Sequence, residues 1–349
     1  MSNISLKRKD KDNEDIQRLL ADAWLNITVD ESTMYNPLMD IPPEYMDEPH
    51  KYISWLMTRP EYFSFICKEI FNIDLLPFQA LMLRELWERR FPMLIATRGA
   101  GKSFILGLYS LLRILLMPKR KLIVAGAGFR QSKVIFDYME TIYNNAPLLR
   151  DIVGINKSNG VRRATDMWTF SIGESVCRCI PVGDGSKIRG QRANDLLVDE
   201  FASLPVDIFE NVMAGFAAVS STPVSNVKDI AAQKMAKKMG YNLEDKSDPL
   251  KKDNQIIISG TAYYDFSDYW KDWHEIICTQ GNERKLKEFF KRKSNSEGKD
   301  DTDVPADFNY EDYSIIRMPF EKLPKGFMDA AQVARSKATI HAGIYMMKF

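Results

Sequence analysis

The sequence predicts an α/β fold: a mainly parallel central sheet flanked by helices. Two observations predict it. Short runs of strand length alternate with stretches of helical period, and the runs are nearly all apolar, as strands covered on both faces are. A glycine-bearing turn ending in Lys102-Ser103 joins one such run directly to a long apolar helix, the connection that parallel sheets use.

The elements follow in order. Residues 1–58 read as an acidic lead-in and a helical segment. Positions 1–50 hold five Lys/Arg and eleven Asp/Glu, a local net charge of −6 in a chain of +1 overall, so the remainder carries a mild basic excess. Pro37, Pro42, Pro43 and Pro49 are expected to break regular structure there. A core spans residues 59–265. Helical spacing runs from Pro60 to Glu88, with Phe63, Ile66, Cys67 and Ile70 on one face and Leu81, Leu83, Leu86 and Trp87 forming a second apolar face. Met93 to Ala96 is a buried strand, Thr97 to Gly101 a loop, and Lys102 to Leu116 a helix. Lys121 to Gly126 is the next strand, with a helix over 131–144 after it. Met167 to Val182 reads as a hairpin turning at Gly173-Glu174. Asp195 to Asp199 and Gln255 to Ser259 are further buried strands. The Ser/Pro- and Lys-rich stretch 216–254 is an excursion from the sheet. Residues 266–349 form an appended linker or lid subdomain, with a low-complexity run at 291–306 and one more strand at Tyr313 to Met318.

Composition narrows the function classes. With 349 residues, 45% hydrophobic and 27% charged, the chain has enough apolar material for a packed core, which excludes wholesale disorder. A net charge of +1 announces no global basic field. Cys177 and Cys179 alternate and so share one face of a strand; with no matching His or Cys cluster they read as structural thiols of a reducing compartment rather than metal ligands. His50, His274 and His341 are scattered. No apolar run reaches eighteen residues, so no membrane span is expected, and Met1 to Asp15 is charged and unlike a secretory signal.

The informative segment is Ala96-Thr97-Arg98-Gly99-Ala100-Gly101-Lys102-Ser103. It fits the phosphate-loop pattern G-x4-G-K-[ST], with Ala96 in place of the first glycine. Gly99, Ala100 and Gly101 let backbone N–H groups approach phosphate oxygens, and the following helix start adds unsatisfied donors and a positive dipole end. Lys102 supplies a cation to the terminal phosphates of ATP, and Ser103 a hydroxyl to Mg²⁺. Downstream, Leu196-Leu197-Val198-Asp199-Glu200 ends an apolar strand on two carboxylates, an arrangement unfavourable without a cation nearby. Asp199 is expected to hold Mg²⁺, and Glu200 to activate the attacking water as general base. At least one strand separates the loop strand from the carboxylate strand in sequence. That spacing predicts a P-loop NTPase of the additional-strand, catalytic-Glu type.

In this order the segments resemble the ATPase domain of phage terminase large subunits, the motors that package viral DNA. The likeness is carried by Leu76-Pro77-Phe78-Gln79, by Arg98 within the phosphate loop, and by Ile188-Arg189-Gly190 leading into Asp195 to Glu200. Ser259-Gly260-Thr261-Ala262-Tyr263-Tyr264 and the exit stretch Tyr313 to Asp329, with Leu323-Pro324-Lys325-Gly326-Phe327, complete it. The resemblance implies that Gln79 bonds adenine and that Thr97 to Ser103 hold the nucleotide. It implies that Ser259, Gly260 and Thr261 couple hydrolysis to movement. Arg98 is then a cis-acting or sensing arginine, and Arg189 the residue that acts on a neighbouring subunit.

The partners so implied are double-stranded DNA, a portal protein and procapsid, a small terminase subunit and other copies in a ring, with no membrane; the expected location is the host cytoplasm. Lysines of the excursion, from Lys228 to Lys252, are candidates for DNA phosphates. The family's nuclease domain is expected to have no counterpart in these residues, and Asp300, Asp301 and Asp303 read as a solvated loop, so no nuclease activity is expected. The alternatives are another nucleic-acid-dependent ATPase of helicase type, or a nucleotide-dependent assembly switch. Glu200 favours hydrolysis over the switch.

Overall fold

A computed structural model of the chain describes residues 43–126, 128–181, 192–204, 235, 254–261, 282–297, 304 and 308–340. The lead-in before residue 43, the loop holding Arg189, nearly all of the 216–254 excursion, and Asp300, Asp301 and Asp303 lie outside the described residues.

Before the sheet come helices α1 (Pro49–Met57), α2 (Phe63–Phe71) and α3 (Pro77–Glu88). Pro49 and Pro77 sit in the first helical turn, where the missing N–H is no loss, so Pro49 starts a helix where the sequence reading expected a break. Asn72 ends α2 in the left-handed conformation that Asn tolerates, splitting the helical stretch predicted from Pro60 to Glu88. Strand β1 (Phe91–Ala96) leads into α4 (Lys102–Leu116), then β2 (Lys121–Gly126) and α5 (Phe129–Asn145). Next come α6 (Pro147–Gly154), β3 (Gly160–Arg163), β4 (Trp168–Ile172) and β5 (Ser175–Cys179). The described chain continues with β6 (Asp195–Asp199), β7 (Gln255–Gly260), α7 (Glu283–Glu297), β8 (Tyr313–Met318) and α8 (Ala330–Thr339).

The eight described strands form one sheet in the order β3-β4-β5-β2-β6-β7-β1-β8. The run from β5 to β8 is parallel; β3, β4 and β5 are joined antiparallel. In space the strand between the loop strand β1 and the carboxylate strand β6 is β7, from later in the chain, and β2 lies on the far side of β6. The sheet also passes residue 265, because β8 pairs with β1 along its whole length, from Phe91↔Tyr313 to Ala96↔Met318.

Strict alternation assigns the two faces. Leu122, Val124, Leu197 and Ile257 join the larger core under the helices, with Phe63, Leu83, Trp87, Leu106 and Phe136. Ile123, Ala125, Leu196, Val198 and Ile258 point the other way, into a second cluster with Met93 and Ile315. Cys177 and Cys179 share the helix-side face and are buried, and burial pushes the Cys179 thiol up to about 12.

One polar group lies at the base of this core. Asp195, fully buried at the start of β6, accepts from Arg113 on α4 (Nε–Oδ2 3.1 Å, Nη2–Oδ1 3.3 Å) and from Arg120 just before β2 (Nε–Oδ2 2.7 Å, Nη2–Oδ1 2.6 Å). Burial alone raises the Asp195 carboxyl, but Arg113 and Arg120 outweigh it and hold it below the ordinary aspartate range. A depressed folded-state value means stability that is present above the unfolded pKa of about 4 and is lost as pH falls through the folded one. Asp195→Asn is therefore expected to destabilise the fold at pH 7 by about 3–5 kcal/mol, since two guanidiniums lose their buried partner. Urea unfolding of both proteins at pH 7 and below pH 4 checks this; the gap between them should narrow in acid.

Candidate active site

The parallel strands end at one edge, where the predicted groups are found. β1 stops at Ala96, and residues 97–101 turn into α4 with Gly99 at φ +84° and Gly101 at φ +80°. Both are in the left-handed region that favours glycine. The loop is anchored from the neighbouring edge strand, because Thr97 N donates to Met318 O at the end of β8 (2.9 Å). Ala100 is buried, and Arg98 projects into solvent.

Lys102 folds back over this loop. Its Nζ donates to Ala96 O at 2.9 Å and Thr97 O at 3.5 Å, and only 8% of the residue is exposed. Burial lowers its pKa most; the negative charges of Glu200 and Asp199 raise it, and Arg98 lowers it. The loop lysine and the two carboxylates, 97 residues apart at the closest in sequence, thus lie near enough for the carboxylate charges to act on the lysine.

The carboxylates are held by the neighbouring strand. Ser259 Oγ donates to Asp199 Oδ1 at 2.5 Å, and Thr261 Oγ1 donates to Glu200 Oε2 at 3.2 Å. Burial raises the Asp199 carboxyl, the Ser259 bond draws it down, and Glu200 adds a raising charge, with the net direction upward. Glu200 has φ +50°, an unfavourable conformation for a residue with a Cβ, held where β6 turns into the 3-10 turn Phe201–Ser203.

The described residues named from the sequence are thus brought to one edge. Gln79 lies in the first turn of α3, where its Oε1 accepts from Leu76 N at 3.0 Å, and its Nε2 is 3.9 Å from where a Cβ on Gly101 would stand. Gln79 therefore caps α3 and borders the loop at once. Gly260 packs beside Glu200, and Ser103 is half-buried at the start of α4. Arg189 and Ala262 to Tyr264 are outside the described residues. Among those described, no three His, Cys, Asp or Glu side chains cluster as a metal cage.

Two contacts were not legible. The segment after β8 leans on the loop: Met328 Cε would lie 3.2 Å from a Cβ on Gly99, and Phe327 packs edge-on against Phe78 at 5.2 Å. Leu323 to Phe327 was visible only as an exit stretch, and no local pattern discloses what it touches. The Asp195 cluster was likewise hidden, since its members come from three separate elements.

A loop lysine opposite paired carboxylates, on a parallel sheet with a strand between their two strands, defines a phosphate-loop NTPase fold. The chain belongs to the T4likevirus-type terminase large subunit family, whose N-terminal model matches residues 93–313. Among solved structures, an arginine-to-alanine variant of the Thermus phage P74-26 large terminase ATPase domain aligns at TM-score 0.50 and 9% identity, covering 81% of this chain and 95% of that one. The HK97 bacteriophage large terminase aligns at TM-score 0.37 and 12% identity, covering 68% of this chain. A large terminase of a thermophilic bacteriophage, in complex with ATP-gamma-S, aligns at 0.37 and 12%, covering 77%. This chain spans 41% of the HK97 protein and 50% of the latter. No curated protein matches it in sequence.

Gly101→Ala tests the loop. Among the described residues beyond its two chain neighbours, no atom lies nearer than 3.9 Å to the added methyl, so the cost is backbone strain, about 1 kcal/mol. Denaturant midpoints read it; an unchanged midpoint would contradict the left-handed geometry.

Proposed function

We propose that this chain is the ATP-hydrolysing part of a DNA-packaging motor, driving double-stranded viral DNA into a procapsid. The observation that carries the reading is a pair of carboxylates, Asp199 and Glu200, each bonded by a hydroxyl from the end of the intervening strand or the residue after it, near enough to the loop lysine Lys102 to act on its charge. Family membership supports the motor context.

The residues divide the work by chemistry. Lys102 exchanges the carbonyls of Ala96 and Thr97 for phosphate oxygens, a stronger charge-assisted partner. Gly99, Ala100 and Gly101 offer backbone N–H groups, and Gln79 borders the place for the base. Glu200 takes the proton of the attacking water, and the Thr261 hydroxyl fixes the carboxylate that does so. Ser103 and Asp199 supply hard oxygen donors, the set that suits Mg²⁺; this ion keeps several waters and takes phosphate oxygens, so a three-carboxylate cage is not needed. When bound it neutralises phosphate charge. Ser259 and Thr261 join the carboxylates to β7 and so carry the nucleotide state into the chain beyond residue 261. Arg98 acts in cis, and Arg189 on a neighbouring copy in a ring, with portal protein and small subunit as further partners.

Nucleotide binding and turnover separate these roles. Lys102→Ala is expected to lose binding, and Glu200→Gln to keep binding while turnover falls by about 10²-fold or more. Equal binding by wild type and Lys102→Ala would overturn the loop assignment. Mixing Arg189→Ala with Lys102→Ala subunits should restore part of the turnover in assembled rings; none restored would argue against action between copies.

A further inference from the structure

The helix that starts at Lys102 is pinned, from its middle to its last turn, to the two strands that carry the rest of the site. Tyr109 and Arg113 are four residues apart and share a face of α4. Tyr109 donates its hydroxyl hydrogen to Gln255 Oε1 at 2.6 Å, and Arg113 grips Asp195 with two N–H groups. Asp195 and Gln255 are register partners on β6 and β7. Four residues further along these strands, about 13 Å away, stand Asp199 and Ser259, whose side chains are bonded to each other. The two strands therefore form a frame with two polar rungs on its helix-side face. The lower rung is bolted to the phosphate-loop helix; the upper rung faces the phosphate loop.

This lower rung is an unfavourable way to fill a core. Tyr109, Arg113 and Asp195 are wholly buried, and Gln255 nearly so. Among the described residues Arg113 Nη1 has no hydrogen-bond partner, and the guanidinium carbon instead lies 4.7 Å from the centre of the Trp87 ring. Gln255 Nε2 is also committed, donating to Leu86 O at 3.1 Å and to Trp87 O at 3.3 Å. Well-packed apolar side chains fill such a volume at equal or better stability. What they lack is direction: a two-pronged guanidinium–carboxylate pair and a hydroxyl–amide bond fix translation and angle, where apolar surfaces slide.

We propose that Asp195 and Gln255 are positioning residues for ATP hydrolysis. Through Arg113 and Tyr109 they hold α4 in register with β6 and β7, so that Lys102 and Glu200 meet the same phosphate. The inference rests on the function proposed above.

The test uses the full chain with Tyr109→Phe, Gln255→Met and the pair combined, reading ATP affinity, kcat and melting temperature. Tyr109→Phe keeps the ring and removes the bolt. It is expected to leave ATP affinity within about twofold and to lower kcat about tenfold, as small misplacements of reacting groups do. Adding Tyr109→Phe to Gln255→Met should raise the melting temperature, because the hydroxyl otherwise stays buried without a partner, yet leave kcat low. In a Glu200→Gln background, Tyr109→Phe should lower the residual turnover no further. A kcat for Tyr109→Phe within twofold of wild type, or a kcat that tracks melting temperature across the three variants, overturns the positioning role alone. A wild-type chain that neither binds nor hydrolyses ATP overturns the function reading, and the positioning role with it.

Discussion

Opposite charges brought near one another at one edge of the sheet, the lysine of a glycine loop and the carboxylates ending β6, organise this molecule. Lys102 is taken out of water, which weakens its hold on its proton, and the two carboxylates at the end of β6 offset part of that loss. Asp199 is buried in turn and would sooner be neutral. Neither side is comfortable alone, and each makes the other tolerable. That mutual dependence requires β1 and β6 to end at one edge, with room between them. The sheet meets the requirement by placing β7 between them, and β7 returns the investment by supplying Ser259 and Thr261.

Much of the rest serves to keep that edge in order. The sheet is covered on both faces by alternating apolar residues, so a slip of one residue along β6 would turn Leu197 and Asp199 away from the helices. The ionic cluster around Asp195 adds directional restraint at the opposite end of the same strand. β8 braces the loop through Met318, and the segment after β8 returns with Phe327 and Met328 to lie against the loop glycines. The segment between β8 and α8 thereby borders the place where a nucleotide is expected.

The central sheet was legible because parallel strands buried on both faces are nearly uniform in apolar character. Lys121 to Gly126, Asp195 to Asp199 and Tyr313 to Met318 fall where the sequence pattern puts them. The candidate site's residues could be named from the sequence because their pattern is local: a glycine turn with Lys-Ser, and two carboxylates ending a strand. Elements with weak or mixed patterns were not. β3 reads Gly-Val-Arg-Arg, an edge strand with one apolar side chain, and gives no alternation to detect. α7 buries Leu286 and Phe289 beneath a charged surface, and its end overlaps the stretch read as low complexity. α8 buries Val333 and is announced mainly by Asp329, whose side chain accepts from Ala331 N and Gln332 N. Contacts between distant segments, such as Arg113 with Asp195 or Met328 with Gly99, leave no local trace at all.

The most direct test of the account is an experimental structure of the chain with a non-hydrolysable ATP analogue and Mg²⁺. The account predicts the terminal phosphate between Lys102 and Glu200, with the Lys102 ammonium moved from Ala96 O to phosphate oxygen. A triphosphate bound elsewhere, with Lys102 still seated on its own loop carbonyls, would contradict it.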